Sequence, residues 1–238
     1  MTTDFGATST FGIFVKYPEP GRVKTRLAQE IGDELAAELY ASFLSDVVAR
    51  FREINARRIL AYTPNDERSR RYFEQLANGH FELWAQPNGS LGERMQSFFE
   101  SFGPDPVVLI GSDSPTLLRS EVEHALTTLP NVSYALGPAT DGGIYLIGLH
   151  QSSFSLFNRV EWSTSRVLEQ MIGEIRKAGA SLHLLPLWYD IDTLADIDFL
   201  RGHLEVLRMT QPHVWEEVAQ TRRVLDVIAM GRHYNPHP

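Results

Sequence analysis

The stretch GIFVKYPEPGRVKTRLA, residues 12–28, begins as a hydrophobic strand, turns at Pro-Glu-Pro-Gly and continues as a helix. Pro18 and Pro20 keep the turn out of helical geometry, and Gly21 supplies backbone freedom. We therefore expect the helix to begin near Val23. A buried strand that passes through a short polar joint into a helix is the repeating unit of α/β proteins. The stretch predicts an α/β fold.

The rest of the chain repeats this alternation. Most apolar runs are continuously hydrophobic, which is typical of strands buried on both faces. Two of them, VSYALG and GIYLIGLH, are separated only by PATDG and predict one antiparallel excursion in a mostly parallel sheet. The predicted strands are 11–16, 58–63, 81–86, 107–113, 132–137, 143–150 and 181–188; the predicted helices are 33–52, 66–77, 91–102, 119–129, 163–178 and 193–208.

The predicted organisation is one domain. No Ser/Gly/Pro-rich linker and no internal repeat divides the chain. We expect a flexible N-terminus over 1–10, one α/β domain over 11–210, and a terminal helix with a His/Pro tail over 211–238 that belongs to the same domain.

Composition excludes several classes of protein. The 238 residues carry a net charge of −8, which argues against a general nucleic-acid binder. The chain has no cysteine, so disulfides, thiolate metal sites and cysteine nucleophiles are all excluded. No signal peptide is recognisable and no apolar run is long enough to span a membrane. The expected location is the cytoplasm.

The turn after the first strand is strongly basic although the protein is acidic. Two of the three lysines of the chain lie here, and Glu19 is the only acidic residue between Gly12 and Ala28. A helix N-terminus offers free N–H groups and a partial positive charge to an anion. Scattered solvated cations are the alternative, but cations at this end of a helix cost stability. The turn predicts a site for a polyphosphate, with Lys16, Gly21, Arg22, Lys24 and Arg26 as candidate residues.

Aspartates follow two of the predicted strands. VVLIGSDSP leaves Asp113 at the carboxyl end of its strand, and LWYDIDT places Asp190 and Asp192 after the last strand. Open α/β sheets bind ligands at this edge. Asp113 also suits a cap of the helix after Pro115, and Thr193 or Asp192 suits a cap of the last predicted helix. The alternative to capping is metal binding, because carboxylates are ligands of hard divalent cations. In that interpretation Asp113 holds Mg²⁺ or Mn²⁺ together with Asp192 or Asp190.

Three further segments follow the same logic. LGPATDGGIYL places Asp141 beside Gly142 and Gly143; it suits sugar binding or a general base, or is a plain hairpin turn. QPNGSLGERM, with Gly92 and Arg94, is a base- or ribose-binding loop or a helix cap. EWSTSRVLEQ offers Ser163 or Thr164 as an N-cap, and Trp162 packs or covers the site.

Taken together, the motifs FVKYPEPGRVKTRLA, LGERM, LIGSDSPTL, GPATDGGIYLIGL, WST and DIDT resemble a bacterial family of small GT-A-like nucleotide-diphospho-sugar transferases. Members of that family are linked to radical-SAM/selenodomain proteins or to arsenosugar biosynthesis. The resemblance covers roughly residues 11–200. A more distant similarity is to 2-phospholactate guanylyltransferase and to the molybdenum cofactor nucleotidyltransferase. Two departures are visible: GSDSP replaces an expected Thr and Cys around Asp113, and Ile144 replaces an aromatic residue.

The resemblance implies a three-layer α/β/α GT-A-like fold and a nucleotide site. Arg22, Lys24 and Arg26 would face the phosphates, and Asp113 would take the metal-binding position. Asp192 would occupy the second metal position, with Asp190 as the next choice. Asp141, Gly142 and Gly143 fall where sugar or acceptor recognition is expected, and Asp141 is the candidate base of an inverting enzyme.

The predicted function is metal-dependent transfer of a sugar from a nucleotide diphosphate to a small acceptor. One alternative is a nucleotidyltransferase that joins an NTP to a phosphorylated small molecule and releases pyrophosphate. A second alternative, from another class, is a nucleotide-binding module without catalysis.

Overall fold

The structure, a computed structural model, describes residues 9–150 and 154–233. The chain forms two compact units, each assembled from several segments. The first unit comprises the residues up to Val15, Arg52–Gly111 and Leu118–Tyr189; the second comprises Lys16–Phe51, Ser112–Leu117 and the residues from Asp190 onward. The single-domain organisation stays a prediction.

The first unit is built on a seven-stranded mixed sheet of order β3-β2-β1-β4-β6-β5-β7. The pairs β1–β4, β2–β3 and β5–β7 are parallel, whereas β6 runs antiparallel to both β4 and β5. The predicted antiparallel excursion is therefore confirmed, and β6 is the strand that makes it. The strands are β1 Thr10–Lys16, β2 Arg57–Thr63, β3 Glu82–Ala85, β4 Val107–Ile110, β5 Tyr134–Pro138, β6 Ile144–Leu149 and β7 Leu182–Leu184.

Helices of the first unit cover both faces of this sheet. Side chains of a strand alternate between faces. Ile59 and Ala61 of β2 join the main core cluster together with α4 and α6, whereas Tyr62 points to the other face and contacts Phe73 of α3. The helices of this unit are α3 Glu67–Ala77, α4 Leu91–Phe102, α5 Arg119–Thr128 and α6 Val167–Lys177. The layered α/β/α architecture is thus confirmed.

The second unit is helical. Its helices are α1 Thr25–Ile31, α2 Asp33–Phe51, α7 Leu194–Thr210, α8 Pro212–Glu217 and α9 Ala219–His233. Leu39, Phe43, Val47 and Phe51, which recur every four residues along α2, are buried, and α2 packs against α1, α8 and α9. Buried Asp46 on α2 accepts hydrogen bonds from the backbone N–H groups of Gln220, at 3.2 Å, and Thr221, at 2.8 Å. It thereby satisfies donors that the start of α9 leaves unpaired.

Three predictions of local structure were wrong. The last strand ends at Leu184 and not at 188, because Pro186 has no N–H group to donate to a ladder. Helix α6 begins at Val167, since Ser163 has a φ of 65° and the Thr164 hydroxyl bonds to the Glu161 carbonyl instead of capping. The C-terminal helix is two helices, and residues 234–238 of the predicted tail lie outside the described residues.

At the other end, β1 begins at buried Thr10, and residues 1–8 of the predicted flexible N-terminus also lie outside the described residues. Among the helices that the structure describes, none is both long enough and apolar enough to cross a membrane.

Candidate functional site

Three loops of the second unit meet around one buried ammonium group. They are the basic turn before α1, the segment Ser112–Leu117, and the segment from Asp190 to the start of α7. The last two are joined by a hydrogen bond of 3.1 Å from the Ile191 N–H to the Asp113 carbonyl oxygen. This backbone contact brings the two predicted aspartate loops side by side.

Lys24 is the residue on which the loops converge. It forms salt bridges with the carboxylates of Asp113 and, at 2.9 Å from Nζ to Oδ1, of Asp192. Its side chain is only 3% exposed, whereas those of Asp113 and Asp192 are 44% and 43% exposed. The cluster therefore has a buried cation at its base and two half-exposed carboxylates above it.

The backbone of Lys24 is shaped for this inward placement. Lys24 is the N-cap residue of α1, with φ 46° and ψ 43°. This is the left-handed backbone region, which residues other than glycine rarely adopt. This conformation ends the basic turn and starts the helix at Thr25, close to the predicted start at Val23. Its carbonyl accepts the first helical bond, from the N–H of Ala28 at 2.8 Å.

Electrostatics keep Lys24 charged. Burial alone favours the neutral amine, but the negative charges and hydrogen bonds of Asp113 and Asp192 outweigh it and raise the pKa of Lys24 above its ordinary value. The ammonium also lies 5.9 Å from the ring centre of Tyr40 and 5.7 Å from that of Phe43, within the range of cation–π attraction. The walls of this pocket come from α2.

Hydrogen bonds from the same helix support the aspartate loop. The Tyr40 hydroxyl lies 2.8 Å from Oγ of Ser112 and accepts the N–H of Lys16 at 3.1 Å. Burial, with the negative charge of Asp113, raises the pKa of Tyr40, so this hydroxyl stays protonated. Tyr40 thus links Lys16 to the residue before Asp113, both in the second unit.

The aspartates of the last loop have different partners. The Ser114 hydroxyl donates to Oδ1 of Asp190 at 2.5 Å, so that carboxylate faces the Ser112–Leu117 segment, whereas Asp192 faces Lys24. Thr193 caps α7 in a capping box with Asp196, as one alternative predicted. Capping does not explain Asp113, because the N-cap residue of α5 is Leu118 and that cap has no side-chain hydrogen bond.

The other cations of the turn face outward. Arg22 and Arg26 are exposed, and within the described residues neither guanidinium pairs with a carboxylate. Lys16 is exposed too, and its Nζ donates to the carbonyl of Arg22 at 2.6 Å. The turn is possible because Gly21 has a φ of 72°. The basic turn therefore presents two unpaired guanidinium groups beside the Lys24 cluster.

The donor set of the cluster fits a divalent cation that shares its coordination with a substrate. Mg²⁺ is commonly bound by one or two carboxylates together with substrate phosphates, without a complete protein cage. Asp113 and Asp192 supply two half-exposed carboxylates that converge on one point. No group of three or more acidic or histidine side chains suited to a metal is found among the described residues. The fit is to a metal–phosphate complex and not to a closed metal site.

The remaining predicted residues belong to the first unit. Arg94 on α4 is half-buried; it donates to Oε1 of Gln86 at 3.0 Å and weakly to the Ser90 carbonyl. Buried Gln86 is held in turn by the Ala61 carbonyl at 2.6 Å. Burial without a nearby carboxylate lowers the pKa of Arg94. Arg94 therefore has a fixed orientation and, in the described part of the chain, no anionic partner.

Packing accounts for two of the predicted ligand residues. A Cβ at Gly92 would lie 2.4 Å from the indole nitrogen of Trp162 and 2.7 Å from the Phe157 carbonyl oxygen. That indole N–H donates to the same carbonyl at 2.8 Å, and its ring stacks on Phe157. Gly92 is needed for this contact, and of the two predicted roles of Trp162 the structure displays packing.

The Asp141 turn joins β5 to β6. The exposed Asp141 carboxylate accepts the Gly143 N–H at 2.8 Å, which is a local turn-stabilising bond. Gly142 has a φ of 88°, and a Cβ there would lie 2.1 Å from the Ser165 carbonyl oxygen. The hairpin interpretation is therefore confirmed as the local structure, and recognition of a sugar or acceptor by these residues stays a prediction.

Several residues of the site were missed by the sequence analysis. Tyr40, Phe43 and Ser112 surround Lys24 and Asp113, and Gln86 orients Arg94. Phe43 and Tyr40 both lie on the buried face of α2. A tyrosine on the buried face of that helix was a usable signal, since its hydroxyl requires a polar partner.

The fold is shared with proteins of known structure. This chain is 32% identical to a "putative nucleotide-diphospho-sugar transferase" from Desulfovibrio desulfuricans, with a TM-score of 0.82. The match covers 92% of this chain and 97% of the Desulfovibrio chain. An inositol-1-phosphate CTP transferase from T. maritima is 12% identical over 91% of this chain and 96% of that one, with a TM-score of 0.52. A Methanothermobacter nucleotidyl transferase is 11% identical, covering 82% and 96% of the two chains, with a TM-score of 0.54. The last two show likeness of fold alone.

No curated protein sequence matches this chain. Residues 47–164 match the model of the family described as "Uncharacterized protein conserved in bacteria (DUF2064)". With that match and the close relationship to the Desulfovibrio protein, the chain belongs to the DUF2064 family and has the fold of nucleotide-diphospho-sugar transferases.

Proposed function

We propose that the protein is a metal-dependent glycosyltransferase that moves a sugar from a nucleotide diphosphate to a small acceptor. The observation that carries the proposal is the convergence of Asp113 and Asp192, from two separate loops, on the single cation Lys24. Two half-exposed carboxylates beside unpaired guanidinium groups suit a metal–diphosphate complex. The relationship to the Desulfovibrio protein supports the same class of donor.

In this proposal, Asp113 and Asp192 hold Mg²⁺ or Mn²⁺, and Asp190 is held by Ser114 beside them. The cation, when bound, neutralises the charge that grows on the leaving diphosphate. Arg22 and Arg26 hold the phosphates through preorganised positive charge. The bond between the anomeric carbon and the diphosphate oxygen breaks, the nucleoside diphosphate leaves with the electron pair, and the acceptor oxygen bonds to the sugar.

The acceptor hydroxyl must lose a proton in this reaction. We propose Asp141 as the base if the configuration of the sugar inverts: its side chain is exposed, and one of its oxygens is fixed by the Gly143 N–H. A role of Gly142, Gly143 and Trp162 in acceptor binding, and of Gly92 and Arg94 in nucleotide binding, rests on the family resemblance.

The identity of the released product tests the reaction. The purified protein, supplied with Mn²⁺, a panel of sugar nucleotides and candidate acceptors, is expected to release nucleoside diphosphate. Pyrophosphate released from an NTP and a phosphorylated acceptor would instead establish nucleotidyl transfer. Tight binding of nucleotides without metal dependence, unaffected by Asp113→Asn and without release of either product, would establish a binding module.

The outward-facing arginines should discriminate phosphates from nucleosides. We expect the double change Arg22→Gln and Arg26→Gln to weaken binding of UDP or GDP by roughly 10²-fold with Mn²⁺ present, because each lost charge-assisted bond contributes about 1.5–3 kcal/mol. Binding of uridine or guanosine should change less than twofold. Calorimetry measures both, and Arg208→Gln, an exposed cation on α7, is the matched control. Equal losses for nucleotide and nucleoside would remove the phosphate assignment of this turn.

A further inference from the structure

Lys24 occupies the point at which the two proposed metal ligands meet. We propose that Lys24 is a built-in counter-ion: it neutralises Asp113 and Asp192 while no divalent cation is bound, and it is displaced from them when one binds. This inference rests on the proposed function, because it requires that the two carboxylates are metal ligands. It gives Lys24 a role in metal binding, in addition to the phosphate-binding role that the family resemblance implies for it.

The first argument is that Lys24 is too enclosed to be a simple phosphate ligand in this state. Its side chain is 3% exposed, and its Nζ already has two carboxylate partners. Arg22 and Arg26, by contrast, are exposed on the same turn. The basic turn thus separates its cations into an inward one directed at carboxylates and outward ones open to an anion.

The second argument is that the placement of Lys24 is enforced. A residue with a side chain in the left-handed region persists only where its surroundings over-determine it. Here the surroundings are the aromatic rings of Tyr40 and Phe43 and the two carboxylates. Asp113 and Asp192 repel each other, and the Lys24 ammonium offsets that repulsion while no other cation is bound.

The third argument is one of charge. Asp113 and Asp192 carry two negative charges, which one ammonium balances in part and one divalent cation balances fully. An ammonium and a dication on the same two carboxylates repel each other strongly at the reduced dielectric of a protein. Lys24 and a divalent cation are therefore competitors for these oxygens. Metal binding then has to include the displacement of Lys24, which lowers the affinity for the free ion.

A consequence is coupling between metal and nucleotide. The ammonium that leaves the carboxylates adds its charge to that of Arg22 and Arg26, which favours a diphosphate. The diphosphate in turn favours the state in which Lys24 has left. Each ligand then strengthens binding of the other by the same factor. The device disfavours a metal ion bound without substrate and favours the metal–nucleotide complex.

The test measures binding of Mn²⁺ alone to the 238-residue wild-type protein and to Lys24→Met, by calorimetry and by the electron paramagnetic resonance signal of free Mn²⁺. We expect Lys24→Met to bind Mn²⁺ at least tenfold more tightly than the wild type and to lose most of the mutual strengthening between Mn²⁺ and UDP. Lys24→Arg, which retains the charge, should bind Mn²⁺ more weakly than Lys24→Met. Unchanged or weaker Mn²⁺ binding by Lys24→Met would overturn the proposal.

A second measurement needs no variant at position 24 and covers the case in which Lys24→Met does not fold. The chain has only three lysines, so ammonium NMR signals are readily assigned. Titration with diamagnetic Mg²⁺ in the presence of UDP should shift the Lys24 signal, while exposed Lys177, paired with Glu174, serves as internal control. A bound metal that leaves the Lys24 signal unchanged would overturn the inference alone. Absence of metal binding even with UDP, or Mn²⁺ binding that Asp113→Asn leaves intact, would overturn the proposed function and this inference with it.

Discussion

Asp113→Asn is expected to lower the transferase rate by about 10³-fold at saturating Mn²⁺ and donor. The change keeps the size of the side chain and removes one of the two carboxylates that we assign to the metal. A metal ion that stabilises the leaving diphosphate lowers the activation barrier by several kcal/mol, and each 1.36 kcal/mol of barrier is a factor of ten in rate. Release of nucleoside diphosphate in a coupled assay measures the effect.

The fold should survive this change. The Asp113 side chain is 44% exposed, and Lys24 retains Asp192 as a partner. We therefore expect the urea midpoint of Asp113→Asn to lie close to that of the wild type. The matched control is Asp226→Asn, an exposed aspartate on α9 of the same unit, which should leave the rate unchanged. An Asp113→Asn protein within tenfold of the wild-type rate would exclude Asp113 as a metal ligand.

Much of the fold follows from local sequence patterns. The continuous apolar runs predicted all seven strands, and the predicted helix 33–52 agrees with α2, Asp33–Phe51, almost to the residue. Short polar joints indicated mainly parallel connections, and the brief PATDG joint indicated the antiparallel one. Predictions failed where the outcome depends on one residue at an end, as at Pro186 and Ser163, since tertiary contacts decide where elements end.

The site was predictable in its parts and not in its arrangement. The basic turn and the strand-end aspartates are visible in the sequence because their residue types are unusual at those positions. That Lys24 turns inward was not visible, because it depends on a left-handed backbone at Lys24 and on a carboxylate 168 residues away. Sequence spacing treats Arg22, Lys24 and Arg26 alike. Burial separates them.

The position of the Asp113 loop depends on a buried arginine. Arg50 lies on α2 with its side chain 1% exposed. Its Nη1 donates to the carbonyl oxygens of Pro115, at 2.5 Å, and Leu117, at 3.0 Å, and its Nε donates to Glu217 at 2.8 Å. One guanidinium therefore fixes the end of the Ser112–Leu117 segment and links it to α8. The planar fork of arginine allows this, and the point charge of lysine does not.

We expect Arg50→Met to lower the free energy of unfolding by roughly 3 kcal/mol, because it leaves two buried carbonyls without a donor and Glu217 without its cation. Urea denaturation measures the loss. Arg52→Met is the matched control: Arg52 directly follows the last residue of α2, its side chain is 52% exposed, and its change should cost less than about 0.5 kcal/mol. Similar losses at the two positions would show that the buried network contributes little.

The same variant separates support of the loop from catalysis. If Arg50 positions the Asp113 loop, Arg50→Met that is still folded should bind Mn²⁺–UDP more weakly than the wild type, although position 50 contacts neither proposed metal ligand. Arg50→Lys should recover part of the stability, through charge, and little of the binding, because one ammonium cannot reach both the two carbonyls bonded by Nη1 and the Glu217 carboxylate bonded by Nε. Full recovery of Mn²⁺–UDP binding by Arg50→Lys would contradict the positioning role. If Arg50→Met loses stability but binds Mn²⁺–UDP like the wild type, Arg50 stabilises the fold and does not position Asp113. The hydrogen bond between Tyr40 and Ser112 would then be the contact that places Asp113.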